Sequence, residues 1–192
     1  MDLADRWPLG THSDVRDELL TAWAGPGRRY HDLRHLRDVL DRLDELGCTD
    51  DRVVLAAWFH DAVHDGRDDD EERSAAWAEE VLPTRLAAEV GRLVRVTERH
   101  RPAADDERGQ LLSDADLAIL AASPERYAGY AGDVREEYAS VSDDDFARGR
   151  AGVLRELLAT DPLFHTVPGR ERWEARARAN VTAELDRLCP LG

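Results

Sequence analysis

Apolar positions recur along this chain at intervals of three and four, the helical period, and nowhere in the strict alternation of exposed strands. A first helix is expected over Val15, Leu19, Leu20 and Trp23, with Ser13 as its cap and Gly25-Pro26-Gly27 as its end. A second starts near Tyr30, carries Leu33, Leu36, Leu40 and Leu43, and closes at Gly47. Thr49 is placed to cap a third, with Asp50 and Asp51 set against its dipole. Its run from Val53 to Phe59 is apolar on all sides. That run alone could be a buried strand. Its length, its cap and its helical neighbours favour a central buried helix, ending in His60-Asp61.

The same period continues. An acidic loop from Asp65 to Asp70 leads into a helix through Ala75, Ala76 and Val81. Pro83 suits the first turn of the next, which holds Leu86, Val90, Leu93, Val94 and Thr97 and stops by Pro102. Leu111 to Leu120 reads as helical. Pro124 opens a helix bearing Tyr127, Tyr130 and Val134, and Ser142 with Asp145 forms a capping-box pattern for another. A last helix is expected from about Glu171 to Leu188. No repeat or low-complexity linker interrupts the series. The fold class is therefore all-α, a single domain of roughly eight helices.

Composition narrows the chemistry. The 192 residues are 42% apolar and 35% charged, the make-up of a globular chain. The first twenty residues hold five acidic side chains and no apolar run, which argues against a secretory leader, and no stretch is apolar enough to span a bilayer. The expected location is the cytoplasm, with no membrane partner. Two cysteines, Cys48 and Cys189, are too few for a disulfide framework. All 26 basic residues are arginine, so Schiff-base, Ser-Lys and phosphate-loop lysine chemistry are excluded. A net charge of −15 disfavours duplex nucleic acid, whose binding rests on neutralising phosphates. A small anion remains possible if a bound cation supplies local positive charge.

Candidate chemistry centres on histidines and aspartates. His60-Asp61 interrupts the most apolar segment. A buried carboxylate is costly unless paired or bound to a cation, and imidazole with carboxylate suits several transition metals. The alternative has Asp61 capping the following turn and His60 bonded to backbone. His31 and His35, four apart, would share one face of the second helix. Taken alone, such a pair is more simply a helix-start packing couple. His64 follows His60 by four and could serve as an acid/base group or sit at the surface. Asp114 and Asp116 divide by context: Asp114 is the better cap, whereas Asp116 lies among Ala115, Leu117 and Ile119 and should point inward. His100 ends a helix, where the dipole favours a cation and a substrate contact is also open. Asp68 to Glu72 reads as a solvated loop without the spacing of an EF-hand. Arg135, Arg150 and Arg178 are candidates to clamp a phosphate or to pair with carboxylates.

The ordered set Tyr30-His31-Asp32-Leu33-Arg34-His35, then Trp58-Phe59-His60-Asp61, then Asp114-Ala115-Asp116-Leu117 resembles the HD superfamily of metal-dependent phosphohydrolases. The resemblance is nearest to a bacterial group of predicted HD phosphohydrolases. It extends through Asp70 to Ala75, Tyr130 to Tyr138, Gly149-Arg150 and Ala177 to Asn180, and so covers about Tyr30 to Leu188. It implies one HD-type domain over residues 1–192. Within it, 1–27 would form an N-terminal helix, 28–122 the metal-binding core, and 123–192 the helices completing that core.

The resemblance further implies His35, His60, Asp61 and Asp116 as ligands of one divalent transition metal (Mn, Zn, Fe, Ni or Co). It places His31 where superfamily phosphodiesterases protonate the leaving oxygen. His64 stands where some nucleotidases carry a catalytic glutamate. His100 and Arg135 are the expected substrate contacts. The implied reaction is hydrolysis of a phosphomonoester or pyrophosphate bond in a small, nucleotide-like anion. Two other readings remain: an HD-type di-iron oxygenase, which the shortage of histidines between Asp61 and Asp116 disfavours, and a non-catalytic helical module.

Overall fold

In the computed structural model, which describes residues 2–189, the periodic segments are helices and no strand occurs among the described residues. In chain order these are α1 (Ser13–Trp23), α2 (Leu33–Glu45), α3 (Asp51–Phe59), α4 (Asp70–Val81), α5 (Thr84–Val96), α6 (Glu107–Leu117), α7 (Pro124–Glu137), α8 (Asp143–Ala159) and α9 (Val167–Leu188). Short 3-10 turns lie at Leu3–Arg6 and Ala118–Ala121.

Several starts shift from the sequence expectation because a different oxygen reaches the free amides. Ser13 opens α1 as its first residue; His12, in a left-handed conformation, precedes it and makes no side-chain cap bond. Asp32, not Tyr30, begins α2, because its carboxylate accepts from the Arg34 and His35 amides. Asp50 takes the cap expected of Thr49 by accepting from Arg52. The expected Leu111–Leu120 helix starts earlier, at Glu107, and tightens into a 3-10 turn after Leu117. Asp114 therefore sits inside α6 and is fully buried, so it is not the cap the sequence suggests. Ser142 does cap α8, accepting from Asp145. Thr166 caps α9, which begins at Val167, ahead of Glu171.

The chain divides between Asp116 and Leu117 into two compact units. In the first, α3 is the central element, packed by α2, α4 and α5. Val53, Leu55, Ala56, Ala57, Trp58 and Phe59 are all buried, as their all-round apolarity requires. Each fully buried large side chain contributes about 1.5–3 kcal/mol. Against α3, helix α2 turns a stripe of His35, Leu36, Val39, Leu40 and Leu43. A histidine thus occupies a core position. In the second unit, α9 packs on α8 and on the turn at Ala118–Ala121. Asn180 fixes that turn by donating to the Leu120 and Ala122 carbonyls.

Candidate metal centre

All four residues singled out as ligands lie in the first unit and converge. His35 enters from the first turn of α2, on the buried stripe. His60 ends α3, its amide still bonded to Ala56. Its Nδ1 lies 2.8 Å from the Ala57 carbonyl. A carbonyl only accepts, so Nδ1 carries a proton and Nε2 is the nitrogen that a ligand could take once its own proton is displaced. Asp61 follows in the turn after α3, and Asp116 comes from the last turn of α6.

The donor spacing suits a cation. His35 Nε2 and His60 Nε2 are 3.1 Å apart. Asp116 Oδ1 is 3.2 Å from the first and 3.6 Å from the second. Asp61 Oδ2 is 3.4 Å and 3.1 Å from the same two atoms. Donors held about 2.1 Å from one ion lie about 3.0 to 3.4 Å apart in octahedral or tetrahedral arrangements. Two imidazoles with carboxylates are also the donor chemistry of a borderline transition metal. The residues present therefore fit the implied ion.

Electrostatics agree with the geometry. Burial by itself would lower both imidazoles. The Asp61 and Asp116 carboxylates outweigh it, raising His60 well above its ordinary value and His35 above it. Burial would likewise raise the two carboxylates. Facing His60 with His31 or His35, both instead sit well below the usual range. Two largely enclosed carboxylates, about one-seventh exposed, are stabilised by positive charge beside them, which protons on the imidazoles or a cation can provide.

Around this nest stand the other candidates. His31 precedes α2 instead of riding on it, so helical spacing does not align it with His35. The turn brings the rings together regardless, with centroids 5.7 Å apart. His31 Nε2 is 4.0 Å from Asp61 Oδ2. The His64 ring lies 4.0 Å from that of His31, although α3 ends at Phe59 and no helix links His64 to His60. His100 Nε2 is 3.6 Å from Asp116 Oδ2.

The arginine candidates belong to the second unit. There Arg135 donates to Asp143 and to the Tyr138 and Val141 carbonyls, closing the α7–α8 connection. Arg150 pairs with Glu184, which also accepts the Tyr127 hydroxyl. Arg178 is bound by Glu174 and by the Leu158 and Thr160 carbonyls.

Three residues support the centre in roles that the sequence reading did not assign to them. Arg28 donates to the carbonyls of His31, Asp61 and Ala62, tying the turn before α2 to the turn after α3. Trp23 donates to the Trp58 carbonyl, and its ring lies 5.4 Å from that of His60. Asp70 is not part of a solvated loop: it is buried, and its Oδ2 accepts the amides of Asp65, Gly66 and Arg67. Gly66 has φ +72°, the left-handed backbone that this turn requires. Only Asp70 carried a signal, an acidic residue at a helix start. The carbonyl contacts of Arg28 and Trp23 leave no trace in residue order. Comparison with known protein families, with characterised proteins and with solved structures yields no match to this chain.

Proposed function

We propose that this protein is a metal-dependent phosphohydrolase of the HD type, acting on a phosphomonoester or pyrophosphate bond of a small anionic substrate. The observation that supports this most is that the His35 and His60 Nε2 atoms lie 3.1 Å apart and that Asp61 and Asp116 each bring a carboxylate oxygen to 3.1–3.6 Å from both, at the end of the most apolar helix. His35, His60, Asp61 and Asp116 would hold one divalent transition ion. Such an ion supplies a Lewis acid for a phosphoryl oxygen and lowers the pKa of a bound water.

The chain's own groups account for the rest of the chemistry. His60 presents Nε2 in a fixed tautomer because Ala57 holds Nδ1. His31, beside Asp61 and partly exposed, is placed to hold a proton for the leaving oxygen. His64, against the His31 ring, is the second candidate for that proton. Trp23 and Tyr30 wall the imidazoles with aromatic surface and limit water there, Tyr30 at 4.6 Å from the His35 ring.

The test is a phosphate-release screen over phosphomonoesters, nucleotides and dinucleoside pyrophosphates, using protein loaded with Mn, Zn, Fe, Ni or Co. At least one substrate is expected to turn over. Asp61→Ala should lose both the ion and the activity. Activity that survives loss of the ion would overturn the proposal. Uptake of two irons with oxygen consumption would replace it with the oxygenase reading.

A further inference from the structure

Among the described residues, His12 and His100 are the non-glycine positions with positive φ. His12 precedes α1 near the surface, bonded through Nδ1 to Thr11. His100 has no such peripheral setting. Its φ is +51°, in the left-handed region that side-chain-bearing residues enter rarely and that glycine enters freely. It follows the end of α5, with its amide donated to the Val96 carbonyl. Helix ends of this kind favour glycine or asparagine. A bulky ring kept there against backbone preference calls for a reason in the side chain.

The reason is visible on both ring nitrogens. Nδ1 is 3.2 Å from the hydroxyl of Ser113, which is fully buried in α6. Nε2 is 3.6 Å from Asp116 Oδ2, while the other carboxylate oxygen, Oδ1, faces His35 and His60. A carboxylate oxygen only accepts, so a hydrogen bond between the two would need a ring proton on Nε2. The serine hydroxyl would then donate to Nδ1. At 3.6 Å the His100–Asp116 contact is of ion-pair length, and closing it to a hydrogen bond takes a shift of under about 1 Å. Site hydrogen bonds commonly tighten in this way on loading.

We infer that His100 is a positioning residue for the metal centre: Ser113 and the left-handed backbone aim its imidazole at Asp116 Oδ2, so that Oδ1 stays turned toward His35 and His60. This rests on the metal-centre reading and replaces the substrate contact suggested by residue order. The role is held by geometry alone. Ser113 and Asp116 are three apart on α6 and so lie on one face, and His100 bridges them from the end of α5. Outer partners of this kind set the orientation of a ligand, and losing one weakens metal affinity about 10- to 100-fold.

Cobalt(II) titration of the whole chain, followed by its visible absorption bands, tests this without any substrate. His100→Gly keeps the backbone conformation and removes the ring. It should bind Co2+ about 10- to 100-fold more weakly than wild type, with altered band positions and an undiminished thermal midpoint for the metal-free protein. His100→Asn, whose amide stops short of Asp116 but accepts the same backbone, should show the same loss and guards against a glycine variant that fails to fold. His100→Gln extends an N–H to the reach of Nε2 and should recover most of the affinity. Ser113→Ala should lose less than His100→Gly. Wild-type affinity in His100→Gly, or a His100→Gln variant no better than it, would overturn the inference and leave the metal centre standing. A wild-type chain that takes up no Co2+ would overturn both.

Discussion

At the scale of single residues, the candidate centre depends as much on what holds the ligands as on the ligands. His60 turns Nε2 toward the other donors because the Ala57 carbonyl holds its Nδ1. Asp61 sits in a turn, where nothing in the local helix period holds it. Arg28 supplies that hold, with three carbonyl bonds of 2.7–2.8 Å and a guanidinium 5.3 Å over the Trp23 ring. Replacing it with methionine keeps much of the stem and removes every donor. Arg28→Met should therefore lower the denaturation midpoint by an amount worth about 2 kcal/mol, since bonds from a charged donor are among the stronger ones. It should also weaken metal uptake, because the turns carrying His31 and Asp61 are no longer tied together. An unchanged midpoint together with unchanged uptake would show that the clamp carries no load.

Helices matter here as rigid carriers, and their interiors show which charges are structural. In the second unit the Arg150–Glu184 pair links α8 to α9, and Tyr127 adds α7 through a 2.5 Å bond to the same carboxylate. Both charged side chains are nearly enclosed, at 10% and 7% exposure. Burial would raise the Glu184 carboxyl, but Arg150 and the Tyr127 hydroxyl bring it below its ordinary value. Removing one partner leaves the other charge buried without compensation. Glu184→Ala should thus cost about 3–5 kcal/mol, whereas an exposed pair such as Arg99–Glu98 should cost under about 1 kcal/mol. Urea denaturation of the two variants makes the comparison, and similar small losses in both would refute it. Residue type alone leaves Arg150 open between clamping a phosphate and pairing with a carboxylate. Its contacts make it part of the joint among three helices.

For the molecule as a whole, charge is the governing quantity. A net charge of −15 leaves any anionic substrate dependent on local positive groups, and the paired carboxylates of the centre add to that need. The raised His35 and His60 give the metal-free protein a definite pH signature. A group whose pKa rises on folding contributes its full stability below the unfolded value, near 6.5, and loses it as pH climbs through the folded value. Cation binding runs the other way, because it needs neutral imidazoles and displaces their protons. The rise in unfolding temperature on adding Mn2+ or Zn2+ should therefore be larger at about pH 8 than at about pH 6. An equal rise at both would place the ion somewhere other than these histidines. No helix among the described residues is long and apolar enough to cross a membrane.

The sequence by itself determined the fold class and singled out His60 and Asp61 at the candidate centre. Periodicity of three and four reports the face a helix buries, and burial is the main force on each element, so α2, α3 and α5 were legible from Leu36, Leu55 or Leu93 and their neighbours. His60-Asp61 stood out because polar groups at the end of so apolar a helix need a partner. The spacing of His35, Val39 and Leu43 held the further signal that His35 lies on the buried stripe. Tertiary structure alone decided the rest. Helix starts moved to Asp32 and Asp50 because capping depends on which oxygen reaches the amides. Asp114 proved fully buried within α6, where apolar neighbours in sequence had pointed only to Asp116. Only the packed turns could reveal that Arg28 ties His31 to Asp61 and that His100 leans on Asp116. Such contacts join residues distant in the chain through backbone oxygens that carry no residue identity.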